Sequence, residues 1–282
     1  MIFIAKEIRI SLDYGFASIH FVNCLLKPLC RNDVHEINQH ISKKVTTRIS
    51  QAGFTLVEMA IVLVIVGITL GGLLVSLSAQ VDQRDYSQTR QSMEEIRGAL
   101  LGYALSHGYL PCPAISAENG AEDRTAGACT AGKRVGFLPW AELGVNKTDS
   151  WNRLYRYSVT PAYANSPLAI ALSPPTARDI TIQTRNAAGA LVNLSNTNDI
   201  PVAVISHGKN GYGGTSNDGV LLTDTSINNH DEKTNNTGGG TMAVSREFGS
   251  DKTTTFGEYD DLVVWISPNL YLSKMVTVGN LP

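Results

Sequence analysis

The sequence predicts an α+β chain: a long N-terminal helix, half membrane-spanning and half stalk, packed on a small antiparallel β-sheet head. Three observations predict it. Residues 59–77, MAIVLVIVGITLGGLLVSL, run for nineteen positions without a charge. An amphipathic stretch follows, with no proline from Phe54 until Pro111. Beyond residue 130 the helical period gives way to short β-rich runs separated by turn-forming stretches.

The uncharged run comes first. At the helical rise it spans roughly 30 Å, about the thickness of a bilayer core. The chain-wide averages conceal it, because Lys+Arg 23 against Asp+Glu 25 and 43% hydrophobic residues would suit an ordinary globular protein. Charge divides at Gly53. Residues 1–53 hold seven basic and four acidic residues, so they carry +3 of the formal net charge of −2 and leave −5 for the rest. A basic front stays cytoplasmic while the chain behind it crosses. This pattern points to a membrane partner. The remaining aromatic and basic residues are too sparse and scattered to form a nucleic-acid surface.

Glu58 stands at the edge of the apolar run, in Gly53-Phe54-Thr55-Leu56-Val57-Glu58-Met59. A carboxylate next to hydrocarbon is costly and marks a function with a partner. The stretch GFTLVEMAIVLVIVG resembles the type III signal of type IV prepilins and type II secretion pseudopilins. Gly53 matches the residue before the cut, Phe54 the new N-terminus, and Glu58 its fifth residue. The resemblance implies cleavage between Gly53 and Phe54 by prepilin peptidase and N-methylation of Phe54. It also implies assembly with other pilin or pseudopilin subunits through an inner-membrane platform. The freed Phe54 amine lies one helical turn from Glu58, so the glutamate of one subunit can neutralise the amine of its neighbour. Two charges are then satisfied together only in the packed state, which specifies register.

The expected organisation follows. Residues 1–53 are a leader that is removed, and 1–40 read as a mis-called start, with translation beginning near Ile41 or Val45. Such a leader is far longer than the family's short basic one, and Lys43, Lys44 and Arg48 already supply its charge. His20, His35, His40, Cys24 and Cys30 are not read as a metal cluster. Residues 54–79 form the membrane helix, 80–107 the periplasmic amphipathic half of the same helix, and 108–282 the periplasmic head. In the stalk, Met93, Ile96, Leu100 and Tyr103 recur at helical spacing, and the helix ends at Gly108-Tyr109-Leu110-Pro111. Gly67, Gly71 and Gly72 permit close helix approach or local melting, or are simply tolerated.

Cys112 and Cys129 admit two readings. A disulfide in an oxidising periplasm would stabilise by about 3 kcal/mol on the chain-entropy estimate. A metal site with His107 lacks a fourth ligand at recognisable spacing. The bridge is the expectation.

Within the head, strands are predicted over 154–159, 180–184, 201–206 and 262–266. Asp149-Ser-Trp151-Asn152 is similar to the Asp-x-Trp-Gly turn of pseudopilin heads, with Asn152 where glycine usually stands, and Tyr155-Arg-Tyr157 to their next strand. Val204-Ile-Ser-His-Gly208 and Asp260-Asp261-Leu-Val-Val-Trp265 resemble their closing strands. In the major pseudopilins the intervening loop binds calcium. Here Asn210, Asp218, Asp260 and Asp261, with Asn217, offer hard oxygen ligands. Lys209 and His207 intrude, so a solvated turn-rich loop without a cofactor is the leading reading and calcium the alternative.

Enzyme signatures are missing. Gly208-Lys-Asn-Gly-Tyr-Gly-Gly lacks the order and ending of a phosphate loop, and there is no Gly-x-Ser-x-Gly or His-Glu-x-x-His. Ser206 and His207 are neighbours at a strand end, where adjacent side chains point to opposite faces. The expected function is therefore a structural filament subunit, minor rather than bulk because the head is large. An adhesive or ligand-binding tip subunit is the alternative, and a membrane-anchored periplasmic hydrolase a remote one.

Overall fold

The computed structural model describes residues 53–281 except 168–169, 173–174, 252 and 255, and without the side chains of 72–77. The expected start near residue 41 and the His/Cys group of residues 20–40 lie outside the described residues. The chain divides into two compact units, Met1–Val62 and Leu63–Pro282. In the first, residues 53–55 lead into a helix.

That helix, α1, runs Leu56–His107. It ends where Gly108 takes φ +86 and donates its N–H to the Ala104 carbonyl at 2.8 Å. The left-handed conformation costs glycine little, so the helix stops there. In the second unit, Met93, Ile96, Leu100 and Ala104 are buried along one stripe of α1. They pack with Tyr155, Tyr157, Val202, Val204, Val264 and Ile266 of the sheet. The period of three and four predicted this face.

The strands come in chain order. β1 (Arg124–Thr125) and β2 (Ala128–Cys129) form a small hairpin. β3 (Val135–Phe137) precedes a one-turn helix α2 (Trp140–Leu143) and β4 (Arg156–Val159). Next are β5 (Thr181–Arg185), β6 (Leu191–Asn193) and β7 (Val202–Ser206), then helix α3 (His230–Thr237) and β8 (Met242–Val244). β9 (Leu262–Ile266) and helix α4 (Pro268–Thr277) close the chain.

The main sheet is antiparallel throughout, in the order β3-β4-β7-β9. β7 is its clearest element, with all five residues buried. Successive side chains alternate faces. Val202 and Val204 therefore meet the α1 side, while Ala203 and Ile205 meet a second core with Ile180, Ile182 and Ala243. This second core belongs to a second sheet, ordered β6-β5-β8, of which only the strand over 180–184 was legible in the sequence. It departs from the purely antiparallel expectation, because β8 pairs parallel to β5. β8 is three residues long, too short for a period to show. Helix α4 was also unread, although Ser267 accepts from the Leu270 N–H at its N-cap and Pro268 opens it.

The Asp149 turn ties the sheet to α1. Asp149 Oδ1 accepts from the N–H groups of Trp151 and Arg153, and its Oδ2 accepts from Ser206 Oγ at 2.7 Å. Ser150 N–H donates to Thr89 Oγ1, and the Trp151 ring meets Tyr86 edge-on at 4.7 Å. Asn152 has φ +63. That explains the residue standing in the glycine position: asparagine tolerates the left-handed region better than other L residues with a Cβ. Asn152→Gly is therefore expected to leave stability within a few tenths of a kcal/mol, whereas Asn152→Val should cost about 1–2 kcal/mol. Urea unfolding of the full chain in detergent micelles reads both, and a valine variant as stable as the parent contradicts the assignment.

Candidate functional site

Two regions carry chemistry. The first is the start of α1. Gly53, Phe54 and Thr55 precede the helix in an exposed segment, and a Cβ added at Gly53 would meet nothing within 4 Å. Thr55 Oγ1 accepts from the Glu58 N–H at 3.2 Å. In return, Glu58 Oε2 accepts from the Thr55 N–H at 2.9 Å and the Thr55 hydroxyl at 3.0 Å. This is a reciprocal capping box, which satisfies donors the first turn would otherwise leave open. The Thr-x-x-Glu spacing signals it, yet the sequence reading gave Glu58 only an intersubunit role.

Behind the cap, the large hydrophobic residues from Phe54 to Leu70 are exposed, between 43% and 92%. An apolar surface around a whole helix requires a non-aqueous or protein environment. The expected span covers 59–77, and the side chains of 72–77 lie outside the described residues. Among the described residues, no helix is long and apolar enough to cross a membrane. In the single chain, a Cβ at Gly67 or Gly71 would also meet nothing within 4 Å.

The second region is in the head. Glu232, on the first turn of α3, meets Asp260 and Asp261 just before β9, with carboxylate oxygens of all three within 4.8 Å of one another. All three residues are buried. Asn210 joins them: its N–H donates to Asp260 Oδ2 at 2.7 Å, and its Nδ2 donates to both Glu232 oxygens. Asn229 Nδ2 and the Asp260 N–H also donate to Glu232. Asn235 Nδ2 donates to Asp261 Oδ2 at 2.8 Å. Asp260 Oδ1 and Asp261 Oδ1 accept no hydrogen bond. Gly208 (φ +55) permits the close approach, since a Cβ there would lie 2.3 Å from the Asp260 carbonyl and carboxylate oxygens.

The electrostatics follow from this crowding. Burial raises the Glu232 carboxyl, and the Asp261 charge raises it further against the hydrogen bonds of Asn210 and Asn229. Burial also raises Asp260, opposed by the Asn210 N–H and reinforced by the Asp261 charge. His207 Nδ1 lies 3.7 Å from Asp261 Oδ1, too far for a hydrogen bond. A cleft of about 420 Å³, bordered by Tyr86, Arg246, Phe248 and Leu262, opens on Asp260 and Asp261. Hard carboxylate donors, two unmet oxygens and an access route fit an oxygen-seeking divalent cation.

The expected calcium candidates are thus divided. Asp260 and Asp261 meet, and Asn210 borders them with its N–H groups. Asp218 is exposed on the turn closed by the Gly219 N–H to Ser216 carbonyl bond, outside the cluster. Asn217 is held elsewhere, its N–H on the Asn152 carbonyl and its own carbonyl on Lys147 Nζ. Glu232 was missed because His230–Thr237 contains no apolar residue, so no hydrophobic period marked the helix.

A disulfide joins Cys112 and Cys129. The bridge uses both sulfurs and His107 stacks on Tyr103 at 4.0 Å, so these three residues do not form the alternative metal site. Glu122 and Arg124 organise the bridged loop. Glu122 accepts from the Cys112 N–H and from two Arg124 nitrogens, while Arg124 reaches the carbonyls of Leu110 and Ala164. Burial alone would raise the Glu122 carboxyl, but the Arg124 and Cys112 hydrogen bonds hold it below the ordinary range. Ser206, the last residue of β7, donates to Asp149, whereas His207 just beyond the strand lies beside Asp261, so the two do not act as a pair.

Behind Gly53-Phe54 stand a helix start capped through Glu58 and then an uncharged run, so the N-terminal segment leads into a helix rather than ending one. Residues 48–74 match the family described as the prokaryotic N-terminal methylation motif. The chain therefore carries the prepilin-type cleavage and methylation signal of type IV pilins and pseudopilins. That motif implies processing by prepilin peptidase and assembly with other pilin subunits. No curated protein and no solved structure matches the chain.

Proposed function

We propose that this chain is a minor structural subunit of a type IV pilus or a type II secretion pseudopilus. The observation that carries the reading is the methylation motif at 48–74, whose described part leads into a helix with exposed apolar side chains. In this reading prepilin peptidase cuts between Gly53 and Phe54, and the Phe54 amine is methylated. The apolar half of α1 holds the chain in the inner membrane as a single pass, with residues 108–282 in the periplasm. On assembly the same surface leaves lipid for the helices of neighbouring subunits, and Glu58 of one subunit meets the Phe54 amine of the next. The size of the head, residues 108–282, favours a specialised position over the bulk of the filament. The head also holds calcium, with Asp260 and Asp261 among its ligands.

The processing step has a direct test. Mass spectrometry of the chain from cells with prepilin peptidase is expected to find methylated Phe54 at the N-terminus. Cells without the peptidase should retain the segment before it. A mature N-terminus elsewhere contradicts the reading.

A further inference from the structure

Seven arginines stand in residues 108–282, and all but one of them have partners. Arg124 pairs with Glu122, Arg134 with Asp179 and Arg178 with Asp199, while Arg185 and Arg246 share Asp231. Arg153 donates to the carbonyls of Gly208 and Lys209. The remaining one, Arg156 on β4, makes no side-chain hydrogen bond or ion pair among the described residues, although it is half-buried. Burial lowers its guanidinium from the ordinary value, and no neighbouring charge opposes the shift. Taking an arginine out of water without an anion or acceptor is costly, so the position points to a partner from outside the chain.

The sheet register places this arginine. Arg156 stands opposite Phe137 of β3 and Ile205 of β7, and directly opposed residues share a face. Its neighbour Tyr157 belongs to the core against α1, so Arg156 lies on the other face, as strand alternation requires. On that face the loop after β7 and helix α3 leave a cleft of about 200 Å³, lined by Arg156, His207, Thr215 and Asn236 and walled by Phe137 and Leu221. Among the described residues, no aspartate or glutamate lines it. The Asn236 amide and the Thr215 hydroxyl also make no hydrogen bond among the described residues. Three polar side chains without partners, one of them a cation, thus border one cavity.

We propose that Arg156, Thr215 and Asn236 receive a carboxylate from outside the chain, that of a short aliphatic acid, either free or borne on an acidic side chain of a neighbouring subunit. A guanidinium presents paired N–H donors whose fork matches the two oxygens of a carboxylate. The hydroxyl and the amide add further donors. One negative charge balances one guanidinium, whereas a phosphate dianion would leave an excess charge in a half-buried cleft. Phe137 and Leu221 suit a short apolar chain behind the carboxylate, and the small volume limits that chain to a few carbons. The site is separate from Glu232, Asp260 and Asp261, none of which lines it.

The test uses the full chain in detergent micelles, titrated with sodium butyrate, sodium phosphate or sodium chloride at matched ionic strength. Butyrate is expected to raise the melting temperature saturably, with half-saturation at about 1 mM for so small a ligand, and chloride to leave it unchanged. Arg156→Gln removes an unpaired charge, so without ligand it should melt no lower than the parent. It is expected to need at least about tenfold more butyrate, and Thr215→Val, which keeps the cation, about threefold more. Equal responses from the parent and Arg156→Gln, or no response from the parent, would overturn the site. A stronger response to phosphate than to butyrate would overturn the carboxylate assignment. The source is then read in cells producing Arg156→Gln. Reduced entry of the cleaved variant into filaments assigns the carboxylate to a neighbouring subunit, and full entry assigns it to a free acid.

Discussion

Glu58→Gln and Glu58→Ala are both expected to leave cleavage after Gly53 intact and to reduce incorporation into filaments to background. The pair of variants separates two roles of one side chain: the cap it makes on α1 and the charge pair proposed with a neighbour. Within a single chain Glu58 closes a capping box with Thr55. Glutamine can occupy that position of a capping box, so Glu58→Gln keeps the helix start while removing the charge. Alanine removes both. Were Glu58 needed only to begin α1, the glutamine variant would assemble and the alanine variant would not. If it must neutralise the Phe54 amine of a neighbour, both fail, because a buried cation without its counter-charge is strongly disfavoured. Counting subunits in sheared filaments, against the cleaved pool in the membrane fraction, decides between them. Normal filaments from Glu58→Gln would end the charge-pairing account.

The capping box also bears on how a monomer waits. Glu58 has local partners before any neighbour arrives, which lowers the cost of holding the carboxylate at the edge of an apolar helix. In the proposed assembly those hydrogen bonds are exchanged for an ion pair. A bare glutamate would have no such resting state.

The largest stability effect is expected from Asp231→Ala, a loss of about 3–5 kcal/mol, the usual cost of removing one partner from a buried ion pair. Asp231 is 1% exposed and receives Arg185 at 2.8 and 2.7 Å and Arg246 at 2.7 Å. Both guanidiniums lie over the Phe256 ring, and Arg246 also lies over Tyr259 at 4.5 Å. Deleting the carboxylate leaves two largely buried cations without a counter-charge. It also cuts α3 from β5 and from the segment after β8. For a domain of this size the loss corresponds to a melting temperature lower by about 6–20 °C. Asp231→Asn keeps the shape and part of the hydrogen bonding, so it should fall between the two. Thermal unfolding of the three chains in parallel measures this, and a loss below about 1 kcal/mol for the alanine variant would show that the arginines find other partners.

What could be read from the sequence alone rests on repetition and adjacency. The uncharged run, the spacing of Met93, Ile96 and Leu100, and the β-rich run over 201–206 are each local signals, and a local signal survives without knowledge of the fold. Contiguity did the same for the signal around Gly53, Phe54 and Glu58, where neighbouring residues in the chain share one turn of helix. Asp149-Ser-Trp-Asn152 was legible as a turn for the same reason. Tertiary structure decided the rest. Glu232 lies 28 residues from Asp260 along the chain, on a helix with no apolar stripe, and only folding makes them neighbours. The parallel pairing of β5 with β8 and the separation of Asp218 from Asp260 are likewise long-range outcomes, set by which chain segments share a core. Buried polar groups follow partners rather than periods, so the carboxylate cluster became visible only once those partners were placed.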